Sequence, residues 1–238
     1  MKTDRILFSL FAVLALAFAG CGSTSDDDGP DAHYDMVGIY SIRNAGGWEY
    51  GTVTVTVSGS AAKVVRTPYG GTPQTLDSLF SVFEDDGEEI VTGDDGDIRF
   101  QITVNESEPT GQGFDVHYGM IFDGADFLGV FRMLDRDDAS VAYYRGTYTD
   151  WNDADTGDWI LFTRGSEVVA LVLGDAQGFQ GDACGTFSGD TLSGVCEYGA
   201  SSEPTHFWSA MRSGASLDGT LTEMTNSEHV YYLTGSAL

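Results

Sequence analysis

The amino-acid sequence predicts an all-β protein, an antiparallel meander that forms a barrel or a sandwich with at most one or two short helices. Apolar and polar residues alternate in short segments, as in residues 52–57, where three valines share one face and three threonines the other. The chain has 31 glycines but only 5 prolines, and acidic residues with glycine occupy nearly every predicted turn. About fifteen such segments follow one another at the spacing typical of sandwiches and barrels.

The chain begins with a predicted export signal, residues 1–20. Lys2 and Arg5 precede a run of apolar residues from 6 to 19 that only Ser9 interrupts. This run is shorter than the ~20 residues that a transmembrane helix needs, so a membrane span is the poorer interpretation.

A cysteine follows the export signal directly, in the stretch Phe18-Ala19-Gly20-Cys21. This stretch resembles the lipobox of bacterial lipoproteins, although Phe18 occupies a position where that family usually has Leu. The resemblance implies that residues 1–20 are removed and that Cys21 carries acyl chains such as palmitate. Gly22 occupies the position where an Asp commonly signals retention at the inner membrane. The resemblance therefore implies a lipid-anchored envelope protein at the outer membrane of a Gram-negative bacterium.

The chain is strongly acidic, with 37 acidic and 11 basic residues and a net charge of −26. A polyanion gains nothing by releasing counterions to a surface of its own sign, so nucleic acid is excluded as a natural partner. An anionic membrane surface would repel the chain as well. We therefore expect the N-terminal acyl chains to make the membrane contact, and stable anchoring requires two or more of them.

Composition divides the mature chain into a tether and two β-meander halves. Residues 21–35 start at the lipidated Cys21 and are polar and acidic, which predicts a flexible tether. The first half covers residues 36–134 and the second half residues 135–238. The boundary between the halves is the charged break Asp135-Arg136-Asp137-Asp138.

The first half has one ambiguous segment, residues 72–87. Four apolar residues there have helical spacing, which favours one short helical turn followed by a strand: Leu76, Leu79, Phe80 and Phe83. Against a helix, the acidic residues 84–86 would crowd the negative end of its dipole. The alternative is a strand over residues 78–83 that turns at Asp86-Gly87. The other strands of this half are predicted at residues 38–41, 52–57, 62–67, 88–92, 98–104, 114–122 and 127–133.

The second half contains the most apolar segment of the mature chain, residues 167–173. This segment predicts a strand that is buried on both faces or passes through the core. Further strands of this half are predicted at residues 139–149, 159–162, 184–196 (as a hairpin), 206–211, 217–223 and 229–235.

Two short motifs recur between the halves. Residues 38–41 (Gly-Ile-Tyr-Ser) return as residues 146–149 (Gly-Thr-Tyr-Thr), and Gly46-Gly47-Trp48 returns as Gly157-Asp158-Trp159. The repetition indicates either two related halves or the common pattern of strands that begin with glycine. The Gly-x-Trp motif followed by a meander resembles the lipocalin and avidin-like barrels. That resemblance implies a lumen for a small apolar ligand, with Arg132 packed over the tryptophan of the first half.

Two cysteines remain once Cys21 is assigned to lipid. Cys184 and Cys196 predict a disulfide, because a three-residue turn at residues 189–191 would place them directly opposite each other in a hairpin. A redox or metal-binding dithiol would need closer spacing or nearby histidines.

The most suggestive polar cluster is the loop at residues 148–159. Its side chains offer carboxylate and amide oxygens to Ca²⁺, or aromatic rings to a sugar: Tyr148, Asp150, Trp151, Asn152, Asp153, Asp155 and Asp158. The loop lacks the spacing and the final Glu of an EF-hand, so a solvated hairpin loop is the competing interpretation.

No catalytic residue is predicted. The four histidines are scattered without metal-ligand spacing, and the nucleophile-elbow, phosphate-loop and dinucleotide motifs are absent. The sequence therefore predicts a non-enzymatic envelope lipoprotein with a binding or structural body, which takes a small apolar or glycan ligand if it binds one. The alternative is an envelope hydrolase that uses surface carboxylates.

Overall fold

A computed structural model describes residues 33–59, 61–76, 81–85, 88–95, 98–103, 108–110, 112–137, 139–152, 155–174, 180–198 and 204–238. These residues form eighteen strands and no helix, which confirms the predicted all-β class. No helix in this part of the chain is long and apolar enough to cross a membrane. The export signal, Cys21 and most of the predicted tether lie outside the described residues.

The N-terminal sheet comprises β1 to β10. Its strands are β1 (His33–Asn44), β2 (Gly47–Ser58), β3 (Ala61–Pro68), β4 (Gln74–Leu76), β5 (Ser81–Asp85), β6 (Glu88–Asp95), β7 (Ile98–Thr103), β8 (Glu108–Pro109), β9 (Asp115–Asp123) and β10 (Asp126–Asp135). They are hydrogen-bonded in the order β10-β1-β2-β3-β5-β6-β7-β9-β8, and β4 pairs with β3. Because β9 also pairs with β10, the sheet curls back on itself.

The C-terminal barrel comprises eight antiparallel strands in a closed ring. They are β11 (Val141–Asp150), β12 (Thr156–Arg164), β13 (Glu167–Gly174), β14 (Gln180–Ser188), β15 (Thr191–Tyr198), β16 (His206–Ser213), β17 (Ser216–Glu223) and β18 (Val230–Ala237). Each strand pairs with its neighbour in sequence, and β18 closes the ring on β11. The predicted antiparallel meander is therefore confirmed, and the charged break at residues 135–138 lies between the sheet and the barrel.

Two local predictions in the N-terminal sheet need correction. The tether was predicted to extend to residue 35, but β1 begins at His33 and pairs Tyr34 with Val57. The predicted helical turn is wrong over residues 74–76, which pair with β3 as a strand. Residues 81–85 pair with residues 88–92, as the strand alternative predicted, and residues 77–80 lie outside the described residues. A helix here would have ended on acidic residues, which oppose its dipole.

The sheet and the barrel share an apolar interface. Alternate side chains of β1 and β10 pack against outward-facing side chains of β12 and β13: Val37, Ile39, Val130 and Leu134 against Ile160, Phe162, Val169, Leu171 and Leu173. The intervening residues of β13 point into the barrel: Val168, Ala170 and Val172. The prediction that this strand is buried on both faces is confirmed. One face of β13 belongs to the barrel core and the other to the apolar interface with the sheet.

The predicted disulfide is wrong, because the hairpin turn is one residue shorter than expected. Gly189 and Asp190 form a two-residue turn, with Gly189 at a φ of 63°, so Cys184 faces Val195 and Cys196 faces Ala183. A register shift of one residue reverses the face to which a side chain points. Cys196 therefore lies inside the barrel and Cys184 lies against the N-terminal sheet, and both are free thiols. Burial raises the pKa of Cys184 to about 11, which disfavours the reactive thiolate.

Of the two motifs that recur in the sequence, one occupies equivalent positions in the sheet and the barrel and the other does not. The Gly-x-Tyr segments lie in β1 and β11, the first strands of the sheet and of the barrel, and Tyr40 and Tyr148 are both fully buried. Gly38 faces Val53 in β2, whereas the equivalent Gly146 faces Trp159 in β12. Val53 is therefore the counterpart of Trp159 in this register, so the Gly-x-Trp motifs do not occupy equivalent positions.

Arg132 does not pack over a tryptophan. Its guanidinium lies 4.2 Å from the ring centre of Tyr118 and forms an ion pair with Asp182 of β14. Trp48 instead has Arg43 over its ring and donates a hydrogen bond from Nε1 to the Gly174 carbonyl oxygen at 3.0 Å. Arg132 thus connects the N-terminal sheet to the barrel.

Candidate functional site

Side chains fill the lumen of the C-terminal barrel. Large residues from most of its strands meet along the axis: Tyr144, Tyr148, Trp159, Leu161, Trp208, Leu217, Leu221 and Leu233. The gap that Trp159, Trp208 and Leu217 border measures about 10 Å³, room for at most one water molecule. Ligand pockets for small molecules are typically ~300–1,000 Å³. Around these residues the barrel therefore does not provide the ligand chamber that the resemblance to lipocalins implies.

The structure brings together three residues of the predicted 148–159 loop at one end of the barrel. Asp150 is buried, and the Tyr148 hydroxyl donates to Asp155 Oδ2 at 3.4 Å. The Asp155 carbonyl accepts a hydrogen bond from the Asp150 backbone N–H. These contacts join the end of β11 to the residue before β12, so most of the predicted loop consists of strand residues.

The other predicted loop residues point elsewhere. Trp151 is 57% exposed and Asn152 is exposed, so both project into solvent. Asp158 faces the N-terminal sheet, where burial and this nearby carboxylate raise the pKa of Tyr50. Asp153 lies outside the described residues. The described part of the chain contains no group of three or more His, Cys, Asp or Glu side chains that could hold a metal ion.

The sequence did not predict the histidines that complete this end of the barrel. His229 lies between two carboxylates, with Nε2 3.2 Å from Asp150 Oδ1 and Nδ1 2.9 Å from Glu223 Oε2. These three residues come from the end of β11, the end of β17 and the residue before β18. Because the ring closes between β18 and β11, residues far apart in the sequence become neighbours. No local motif in the sequence signals this arrangement.

A second histidine borders the same region. His206 is 5% exposed, and its Nδ1 lies 2.8 Å from the Thr205 hydroxyl. Its ring packs edge-on against Tyr231, which also packs against His229 and Tyr148. An open pocket of about 340 Å³ adjoins these residues, with Pro204, Met224 and Thr225 in its wall.

This cluster is poorly suited to acid–base catalysis. Both ring nitrogens of His229 already contact carboxylates, so neither is available to take a proton from a substrate. Hydrogen bonds from Thr225 and His229 lower the pKa of Glu223, whereas the general acid of a glycosidase needs a raised pKa. The arrangement links the ends of β11 and β17 to the start of β18 through side-chain contacts of His229.

His206 predicts a measurable dependence of stability on pH. Burial lowers the pKa of His206, so the folded protein holds the neutral ring while the unfolded chain takes up a proton near pH 6.5. The stabilisation from neutral His206 is complete above about pH 6.5 and is lost as pH falls through the folded pKa. We expect the wild type to lose free energy of unfolding relative to His206→Gln by up to about 1.4 kcal/mol per pH unit below pH 6.5.

Urea unfolding of both chains at several pH values measures this difference directly. The difference between the two chains should be constant above about pH 7.5, which serves as the internal control. A constant difference down to pH 5 would contradict the prediction.

The outer surface of the barrel presents two rows of side chains that cross β15, β16, β17, β18 and β11. The first row is Val195, Phe207, Thr222, Val230 and Trp151, and the second is Ser193, Ser209, Thr220, Tyr232 and Thr149. We call these ten residues the neutral patch, since none of them is charged. Phe207, Tyr232 and Trp151 are each more than half exposed. The neutral patch begins beside the barrel end that His206 and His229 occupy.

Comparisons with known proteins identify no family. No protein-family model and no curated protein matches the chain. Among solved structures, the chain is similar to a surface lipoprotein at 8% identity and a TM-score of 0.32, over 86% of this chain and 99% of that one.

Two further solved structures are transferrin binding proteins B. The one from serogroup B Neisseria meningitidis has 13% identity and a TM-score of 0.30, over 85% of this chain and 43% of that one. A mutant of the Haemophilus parasuis protein has 12% identity and a TM-score of 0.29, over 84% of this chain and 45% of that one. The chain spans less than half the length of these two proteins.

Proposed function

We propose that this protein is a lipid-anchored lipoprotein of the cell envelope, at the outer membrane of a Gram-negative bacterium. Its all-β body binds a partner on its outer surface and performs no catalysis. The observation that carries this proposal is the packing of the barrel axis: large side chains from most strands meet there, and the gap beside Trp159 and Trp208 measures only about 10 Å³. Exposed aromatic side chains on the outside of the same barrel offer a surface instead.

The net charge supports lipid as the means of attachment. A chain with a net charge of −26 is repelled by anionic headgroups, so its surface contributes no membrane affinity. Acyl chains on Cys21 supply that affinity through buried methylene groups, at about 0.8 kcal/mol each. On this proposal, the polar residues after Cys21 serve as the tether between the anchor and the body.

Replacement of Cys21 tests the anchor. We expect Cys21→Ser to abolish incorporation of radioactive palmitate and to release the protein from the membrane fraction. Cys184→Ser is the matched control, because it removes a thiol from the folded body and should leave labelling unchanged. Palmitate incorporation that persists in Cys21→Ser would contradict the proposal.

A further inference from the structure

The neutral patch contains no charged side chain in a chain of which one residue in five is charged. Acidic side chains border it, with Asp218 in the row beyond Thr220 and Glu197 beyond Val195. A polyanionic partner is therefore disfavoured, because it would meet a rim of its own sign.

The patch combines aromatic rings with a line of hydroxyl groups. Phe207 and Trp151 lie in the same row three strands apart, about 14 Å at the usual spacing between strands. Tyr232 lies between them in the second row, whose other members are all Ser or Thr. A hydroxyl is both donor and acceptor, which matches the hydroxyls of a sugar, and an exposed ring offers an apolar face for the C–H face of a pyranose.

Other occupants fit this surface less well. A second copy of the chain brings another net charge of −26, and its long-range repulsion opposes association. Ser and Thr are under-represented among the energetically important residues of protein interfaces, yet they make up half of the patch. The chemistry of the patch favours a neutral carbohydrate.

Resting on the proposed function, we infer that the neutral patch binds an uncharged glycan chain. Pyranose rings stack on Trp151 and Phe207, and the hydroxyls of Ser209, Thr220 and Tyr232 bond to the sugar between them. The acidic rim discriminates against uronic-acid and sulfated polymers.

Calorimetric titration of the full-length lipoprotein in detergent micelles tests this inference. The probes are cellohexaose, maltohexaose, laminarihexaose and mannohexaose, with hexagalacturonate as the charged comparison. We expect at least one neutral hexasaccharide to bind to saturation and hexagalacturonate not to bind. Trp151→Ala and Phe207→Ala should each weaken binding at least tenfold. Met211→Ala is the matched control, since Met211 is exposed in the next row and has no aromatic ring. The affinity of this variant for the sugar should stay within twofold of wild type.

Several results would overturn the inference. They are the failure of all four neutral sugars to bind, equal binding by Trp151→Ala and wild type, and tighter binding of hexagalacturonate. If a photo-crosslinker at position 209 captured a polypeptide, the partner would be a protein and not a glycan. That result would overturn the inference and leave the proposed function intact. Persistent palmitate labelling of Cys21→Ser would instead remove the proposed anchor, whatever the sugars do.

Discussion

Replacement of Trp159 by alanine is expected to lower the free energy of unfolding by about 4 kcal/mol, within the range for buried Trp→Ala substitutions. Trp159 is 2% exposed, and its Nε1 donates a hydrogen bond to the Thr147 carbonyl oxygen at 3.1 Å. Its indole fits over the cross-strand pair Gly146 and Gly235, where an added Cβ would approach Trp159 Cζ2 to 2.6 and 2.3 Å. Neighbouring side chains close this site tightly, so the deletion leaves a cavity on the barrel axis.

Urea unfolding followed by circular dichroism measures the loss. Trp151→Ala is the matched control, because the same deletion on the solvent side should change stability by about 0.5 kcal/mol or less. Added indole should bind the cavity of Trp159→Ala and restore part of the stability, as ligands stabilise the state that they bind. A loss below about 1 kcal/mol would mean that the barrel is hollow in solution and would contradict the filled lumen.

Asp182→Asn is expected to destabilise the protein by about 3 kcal/mol. Arg132 is buried at the interface of the N-terminal sheet and the barrel, and Asp182 is the carboxylate with which it forms an ion pair. Arg132 also donates to the Phe131 carbonyl oxygen at 2.8 Å, while its Nε has no partner among the described residues. The loss of one partner from a buried pair costs ~3–5 kcal/mol, and the low end applies because the Asp182 side chain is 31% exposed.

The double variant Arg132→Met with Asp182→Leu separates the contribution of the charges to stability from the contribution of packing. Because it removes both charges, it should recover most of the stability that Asp182→Asn loses. Asp190→Asn provides the surface control: Asp190 pairs with Arg212 at 3.1 Å in a solvent-exposed position, where such pairs contribute ~0–1 kcal/mol. If Asp182→Asn and Asp190→Asn lower the free energy of unfolding equally, Arg132 is not desolvated and the prediction is contradicted.

Local alternation allowed the strands to be predicted from the sequence. Residues 52–57 and 167–173 were recognisable because one strand has one buried face and the other has two. Alternation does not fix the length of a turn. The hairpin at Gly189 is one residue shorter than predicted, and that difference moved Cys184 and Cys196 to opposite faces.

The short repeated motifs predicted only some of the equivalent positions in the two halves. The Gly-x-Tyr repeat identified the first strand of each half, where Tyr40 and Tyr148 point inward. Trp48 and Trp159 share a sequence motif but do not occupy equivalent positions, because the cross-strand register pairs Gly146 with Trp159 and Gly38 with Val53. Register depends on all the neighbouring strands together and cannot be read from three residues.

The barrel-end cluster was only partly accessible from the sequence. Tyr148, Asp150 and Asp155 lie within eight residues of the sequence, across the end of β11 and the start of β12, so their composition marked them as a group. His229 and Glu223 join them only because the last strand of the barrel pairs with the first, a tertiary contact that no local pattern encodes.

The double role of β13 has a consequence for folding after export. An N-terminal sheet that folds by itself up to Asp135 would expose Val37, Ile39 and Leu134, which the structure buries against β13. β13 ends thirty-nine residues further on, at Gly174. A partly folded chain in which the sheet has formed and β13 has not is therefore prone to aggregate through this apolar face. The sheet is protected only by a strand that belongs to the other half.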